Sequence, residues 1–300
     1  MNGPDEPLDF GSIADIPKSK ELFERRAQFH WEYYSELAFL RSKIYDSLKA
    51  SLRERTKSFE FSKWQRAVKY RYSLMPLSTK GSFSDPGGRF NIGAIDPSRF
   101  PLFPALYLAS DKKTALAELL GRDGPADSLT PEELALTKST SITVVSVSGR
   151  LESVLDVRDA KNLAGFINLI RDFRIPANLV MKAKNLGLVV KIVRSADQLV
   201  KELQTSRWRE WPMGYDVPSP PQIFGRIVLD AGIEGILYDS VLTNAPCSAT
   251  YPQNLQNSSS YIELDDPCPP GGHPKANRFH DFQELHLKYR DIPFILKLPE

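Results

Sequence analysis

Phe29, Tyr33, Leu37, Leu40, Ile44, Leu48 and Leu52 recur every three or four positions, the spacing of one apolar helix face. Ser19 stands ready as an N-cap before this run. A single helix from Lys20 to Lys57 would extend ~55 Å at 1.5 Å per residue, too long for a compact domain unless it breaks, so one long helix or two shorter ones are predicted. From Val68 the period falls to two. Val68, Tyr70, Tyr72 and Leu74 alternate with Lys69, Arg71 and Ser73, which predicts a strand with one apolar face and Arg71 on the opposite side. Ser78 to Pro97 holds Gly81, Gly87, Gly88 and Gly93 with little apolar periodicity; it reads as a long loop, and long loops in compact domains often carry function. A strand over Ala105–Ala109 then meets Ser110 and Asp111, good caps for a helix running through Leu120 and closed by Gly121.

Pro125 to Lys138 reads as a linker with a short helix, and Thr140–Val147 as a strand. Leu163, Phe166, Ile167, Ile170 and Phe173 give a helical face. Leu186–Val193 is predicted to be a strand. Ser195 with Gln198 opens a further helix through Leu203. Ser219 followed by Pro220 opens another, which carries Ile223, Phe224, Ile227 and Val228 and ends at Gly232. Gly235–Tyr238 fits a short buried strand. Gln253–Ser260 and Pro267–Pro274 read as loops, and the last residues mix helix and strand signals. The predicted class is α+β. Residues 1–17 are expected to form a flexible acidic tail, 18–66 a helical extension and 67–300 the main domain.

Composition narrows the function. Thirty-nine Lys and Arg against 37 Asp and Glu leave a formal charge of +2 on 300 residues, which argues against a surface built to coat nucleic acid or an anionic membrane. Between Lys20 and Arg71 thirteen basic residues are interleaved with seven acidic ones, the pattern of a solvated face or a partner-protein surface rather than a nucleic-acid stripe. No apolar run is long enough to span a bilayer. The first seventeen residues contain Asp5, Glu6, Asp9 and Asp15 and no Lys or Arg, the reverse of a signal or transit peptide. Two cysteines, Cys247 and Cys268, are too few for a disulfide framework, so a reducing cytoplasmic compartment is expected. His30, His273, His280 and His286 show no i, i+3 or i, i+4 pair, so no metal is expected. There is no G-x-S-x-G elbow, and Gly87-Gly88 lacks both nucleotide-loop spacings.

What remains is a constellation: Tyr70-Arg71; Gly87-Gly88-Arg89-Phe90-Asn91; Leu106-Tyr107-Leu108-Ala109; Thr114-Ala115-Leu116-Ala117-Glu118; and Gly235-Ile236-Leu237-Tyr238-Asp239-Ser240. In order, type and approximate spacing it resembles the RES-domain family of bacterial toxins, whose members degrade NAD or transfer its ADP-ribose on a core similar to that of mono-ADP-ribosyltransferases. The resemblance covers roughly Tyr70–Gly121 and Ile223–Leu264. It implies a mixed β-sheet with flanking helices. It implies that Arg71 and Arg89 grip phosphates, that Gly87 and Gly88 let backbone approach the ligand beside Asn91, and that Tyr107 packs on the nicotinamide riboside. It also implies that Glu118 stabilises an oxocarbenium and Ser240 orients a ribose, phosphate or acceptor group. NAD itself calls for such a set, with cations for its diphosphate, an aromatic surface for its rings and a carboxylate for the positive charge that develops as nicotinamide leaves.

Two positions depart from the family pattern. Phe90 stands where Trp is frequent, and Asp239 where Pro is; the added charge must point away from the phosphates or be paired. Thr243–Ser260 is longer than the family's usual connection and reads as a lid or a surface loop. The leading expectation is a toxin-like enzyme that cleaves the nicotinamide–ribose bond of NAD and passes ADP-ribose to water or phosphate, with NAD as substrate and no cofactor. Two alternatives stand beside it, a protein mono-ADP-ribosyltransferase with the same site and an inactive interaction protein on the same core. The resemblance further implies a separate antitoxin or immunity partner, since no helix-turn-helix is recognisable here. The oligomeric state stays open.

Overall fold

Apolar periodicity at the front of the chain builds two helices, α1 (Ile16–Ser42) and α2 (Tyr45–Arg53), which break apart at Lys43–Ile44. The structure, a computed structural model, describes residues 16–69, 72–121, 142–256 and 258–267. The predicted acidic tail up to Asp15, the 125–138 linker, Arg71 and the segment after Pro267 lie outside the described residues. Ser19 sits within α1 rather than capping it. Phe29 and Tyr33 pack with Leu179, Ala183 and Leu186, whereas Tyr34, Ala38, Leu48 and Leu52 enter the main core. Polar contacts tie the same helices down. The Tyr45 hydroxyl donates to Asp230 at 2.7 Å, and Arg53 Nε donates to the Ala231 carbonyl at 2.6 Å.

The first strand, β1 (Lys57–Lys69), begins well before Val68, so the division expected at 66/67 falls inside it. Its alternation is interrupted. The register with its partner shifts between Phe61 and Trp64, and Lys63 has φ 57°, the signature of a bulge that resets which face each side chain takes. Tyr72–Leu77 is turn, and Leu74 is 48% exposed, so the strand predicted to continue through Leu74 ends at Lys69.

After a two-residue hairpin, β2 (Gly87–Gly88) and β3 (Asn91–Ile92), come β4 (Leu106–Ala109), α3 (Lys112–Leu120) and the long β5 (Ile142–Asp156). Five helices follow: α4 (Ala164–Ile170), α5 (Ala177–Asn185), α6 (Ala196–Leu203), α7 (Glu210–Tyr215) and α8 (Pro220–Asp230). The described chain closes with β6 (Gly235–Asp239), β7 (Pro246–Thr250) and β8 (Tyr261–Leu264). The large sheet runs β1-β4-β7-β6-β5-β8, and β1 also pairs along β5, so five strands form a ring of ladders with β8 added at β5. The β5–β6 pair is parallel and the other ladders are antiparallel; the helical crossover between β5 and β6 is what a parallel neighbour requires. The buried Glu234 carboxylate locks that junction, accepting from the Glu152 and Ser153 N–H groups at 2.7 and 3.1 Å and from the Ser260 hydroxyl at 2.7 Å. This is the α+β mixed sheet with flanking helices that the sequence predicts.

Two expectations are overturned. Leu186–Val193 forms no strand, because its backbone is held by α1 rather than by a ladder: Arg26 Nη2 donates to the Leu186 carbonyl at 3.3 Å and the Tyr33 hydroxyl to the Lys191 carbonyl at 2.6 Å. Thr243–Ser260 is neither lid nor surface loop. It contains β7, a strand between β4 and β6, with Cys247, Ala249 and Tyr251 buried. The Cys247 thiol is free, and burial pushes its pKa up.

Strand alternation separates two faces of the sheet. Leu106, Leu108 and Leu237 join Phe61, Val147 and Leu151 on one side, while Ala105, Ala109, Ile236, Tyr238, Cys247 and Ala249 face the helices on the other. Tyr107 packs on the helix-facing side, and it is there that the candidate site opens.

Candidate active site

The glycine-rich loop is rigidly held. Gly87 has φ +93°, and a Cβ there would meet the Gly93 nitrogen at 2.4 Å, so only glycine fits. A Cβ on Gly88 would lie 2.3 Å from the Tyr107 hydroxyl. The bare Gly88 backbone therefore lets Tyr107 close on the loop: its hydroxyl donates to Asn91 Oδ1 at 2.9 Å and accepts from the Phe90 N–H at 3.0 Å. Asn91, fully buried, also accepts from the Gly88 N–H at 2.9 Å and donates to the Ser82 and Phe103 carbonyls at 2.8 and 3.1 Å. Its side-chain hydrogen-bonding capacity goes into the loop.

Helix α8 holds the loop from behind. Gln222, buried on an otherwise apolar face, donates Nε2 toward the Pro86, Gly88 and Asn91 carbonyls at 2.8, 3.2 and 3.1 Å. At Gly225 the helix approaches so closely that a Cβ would fall 2.1 Å from the Phe90 carbonyl oxygen. The same oxygen accepts from the Tyr251 hydroxyl at 3.0 Å. Phe90 itself is fully buried edge-on to Tyr238, with ring centroids 4.9 Å apart, so an aromatic ring at this position serves the core.

Opposite the loop, α3 presents Glu118. Asp111 caps this helix by accepting from the Thr114 N–H at 2.8 Å, and Gly121 closes it in the left-handed conformation at φ 69°, as its sequence predicts. Ser240, buried just after β6, donates its hydroxyl to Glu118 Oε1 at 2.6 Å and accepts from the Leu242 N–H at 3.2 Å. The two residues, 122 positions apart in the chain, thus meet through one short charge-assisted hydrogen bond. Asp239 points elsewhere. It pairs with Arg158 at 3.9 Å, and partial burial raises its carboxyl pKa against the lowering pull of that guanidinium.

Between the loop and α3 lies a cavity of about 350 Å³ whose walls include Gly87, Gly88, Arg89, Tyr107 and Glu118. Its cations differ in freedom. Arg89 is buried and anchored through Nη1 to the Thr205 carbonyl at 2.6 Å, while its buried Nε has no hydrogen-bond partner among the described residues. Arg209 lies over the Trp208 ring at 4.4 Å and makes no ion pair among the described residues. Its pKa is lowered first by burial and then by the neighbouring Arg89 charge, with Glu118 acting the other way. Arg66 is structural. Its Nε, Nη1 and Nη2 donate to the Pro76, Tyr107 and Ser78 carbonyls at 2.6, 3.0 and 2.9 Å, and burial brings its pKa down to about 10. Crowded guanidinium charge facing a carboxylate across a cleft suits a ligand with an anionic middle and a centre that turns positive.

The RES domain family profile matches residues 63–262, two thirds of the chain. The chain belongs to the RES family. The matched span opens inside β1 and closes in β8, and it contains all eight residues singled out from the sequence. Among solved structures, the RES chain is similar to a chain of the M. tuberculosis MbcT-MbcA toxin-antitoxin complex, at 17% identity and a TM-score of 0.38 over 73% of this chain and 90% of that one. No curated protein sequence matches.

Within this RES domain the cavity gathers Gly87, Gly88, Arg89, Tyr107 and Glu118; Ser240 and Asn91 stand behind them and hold Glu118 and the loop. Arg71 lies outside the described residues. Gly87 and Gly88 line the cavity, and Gly93 and Tyr107 are a second reason that neither position has room for a side chain. Sequence reasoning missed Trp208, Arg209 and Gln222. The Arg207-Trp208-Arg209 run and the lone amide on the apolar face of α8 were the available signals.

Proposed function

We propose that this RES domain cleaves the nicotinamide–ribose bond of NAD and passes the ADP-ribose to water or phosphate. The observation that carries the reading is the Glu118 carboxylate, fixed by Ser240 on one wall of a cavity whose other walls bear Tyr107 and the Arg89 and Arg209 guanidiniums. The C1′–N1 bond breaks with its electron pair leaving on neutral nicotinamide, and positive charge spreads over C1′ and the ring oxygen. Glu118 stabilises that charge. The acceptor oxygen then bonds to C1′ and loses its proton to solvent. Tyr107, its hydroxyl already hydrogen-bonded, offers its ring to the nicotinamide riboside, and the guanidiniums take the diphosphate. Chromatography of NAD incubated with the purified chain, with and without inorganic phosphate, tests the reading. Nicotinamide with ADP-ribose or its 1-phosphate is the expected product pair; intact NAD over a folded protein overturns it.

Two substitutions separate binding from chemistry. Arg209→Gln removes a diphosphate cation and is expected to raise KM for NAD ~10-fold with a smaller change in kcat, because a charged hydrogen bond contributes ~1.5–3 kcal/mol and partial exposure takes it to the low end. Ser240→Ala frees the Glu118 carboxylate and is expected to lower kcat ~10-fold or more while KM stays near wild type. Steady-state kinetics of both variants give the comparison, and a shared effect on KM would place Ser240 on the ligand instead. A toxin role, with a separate antitoxin or immunity partner restraining it, belongs to the same reading. Growth arrest on expression of the wild type, absent for a Glu118 variant, is its cellular form.

A further inference from the structure

A second cavity, about 280 Å³, lies on the other side of Trp208 between α1, α4, α6 and α8. Its walls are largely apolar and aromatic, among them Tyr33, Leu37, Phe166, Leu199, Trp211 and Phe224. Buried rings line its floor and the exposed Val189, Lys191 and Arg207 its rim, so it is a cleft that solvent reaches.

One cation on its wall stands apart. Arg41 projects from the last turn of α1 two helical turns beyond Tyr33, and among the described residues its side chain makes no hydrogen bond and no ion pair. Its electrostatic neighbours are the phenols of Tyr34, Tyr45 and Tyr33, and burial lowers its pKa from the ordinary arginine value. The other charged groups at this cavity do not answer it. Arg207 pairs with Glu210, Lys191 is exposed, and Glu202 forms no ion pair with Arg41. A half-buried guanidinium on the wall of an aromatic cleft, with no carboxylate bonded to it among the described residues, can take the negative charge of a ligand.

We propose that this cavity is a binding site for a compact apolar monocarboxylate, with the carboxylate on Arg41 and the body among the aromatic walls. The planar guanidinium fork matches a carboxylate. Glu202 and Glu210 on the same cavity disfavour a doubly charged phosphate, and the volume, just under the ~300 Å³ at which ligand pockets begin, calls for a compact ligand. The site is separate from the NAD reading and stands without it.

The test is a titration of the full-length protein with 1-naphthaleneacetate and with 1-naphthaleneethanol, followed by tryptophan fluorescence because Trp208 and Trp211 line the cavity. Saturable binding is expected for both, ~10-fold or more tighter for the acid. Arg41→Met is expected to erase the preference for the acid, to keep binding of the alcohol and to leave the unfolding temperature unchanged or raised, since it removes an uncompensated charge. Arg41→Lys, which keeps charge but not the fork, is expected to retain part of the preference. No saturable binding, equal affinity for acid and alcohol, or a preference unchanged in Arg41→Met would each overturn the site. Should Arg41→Met fail to fold, the wild-type comparison of acid and alcohol and the Arg41→Lys variant decide alone.

Discussion

Glu118→Gln is expected to lower NAD turnover by ~10²–10³ while the protein folds as before. The exchange is isosteric, and the glutamine carbonyl can still accept the Ser240 hydroxyl that Glu118 Oε1 now accepts at 2.6 Å. What disappears is the charge. Glu118 is half-buried on a helix whose ends are independently fixed by Asp111 and Gly121, so stability should move by no more than ~0.5 kcal/mol. The kinetic loss follows from the size of a preorganised electrostatic contribution, ~3–4 kcal/mol for removal of one group aimed at developing charge. Glu118→Asp is the informative partner, because it keeps the charge and draws it back by one methylene, out of reach of Ser240. Partial activity in Asp and little in Gln would assign the role to charge; full activity in Gln would remove Glu118 from the chemistry.

How much of this was legible in the chain depends on whether local or distant contacts set each feature. Helix α3 was readable because its caps, Asp111 and Gly121, act within four residues of the segment they terminate. The capped start of α8 at Ser219-Pro220 was readable for the same reason. The early half of β1 was hidden by its bulge. Phe59 and Phe61 alternate in one phase and Trp64, Arg66 and Val68 in the other, so no continuous period-two run survives. Leu186–Val193 has the composition of a strand but meets the side chains of α1, and no local signal reports that. The site shows the same division. Residue types and order located Tyr107, Glu118 and Ser240, whereas the Ser240–Glu118 bond spans 122 positions and the placing of Arg209 beside Arg89 depends on where the crossover helices pack.

Asn91→Ala is expected to destabilise the fold by about 3–5 kcal/mol and to reduce NAD turnover with it. The substitution removes both acceptor and donor from a fully buried position, leaving the Gly88 N–H, the Tyr107 hydroxyl and the Ser82 and Phe103 carbonyls short of a partner. Each buried group so stranded costs ~1–3 kcal/mol, less where it keeps a second contact. Tyr107 does keep one, from the Phe90 N–H, so the total stays below four full penalties. Asn91→Asp sharpens the argument. It preserves the shape and the acceptor for Gly88 and Tyr107 but turns a carboxylate oxygen toward the two carbonyls that Nδ2 now serves, so it should be destabilised as well. Urea unfolding of both variants, combined with Tyr107→Phe in a double-mutant cycle, measures the coupling. A loss below ~1 kcal/mol in Asn91→Ala would mean that α8, through Gln222 and the close contact at Gly225, holds the loop without help. A strong coupling to Tyr107 would mean that the ring on the cavity wall and the asparagine behind it are positioned as one unit.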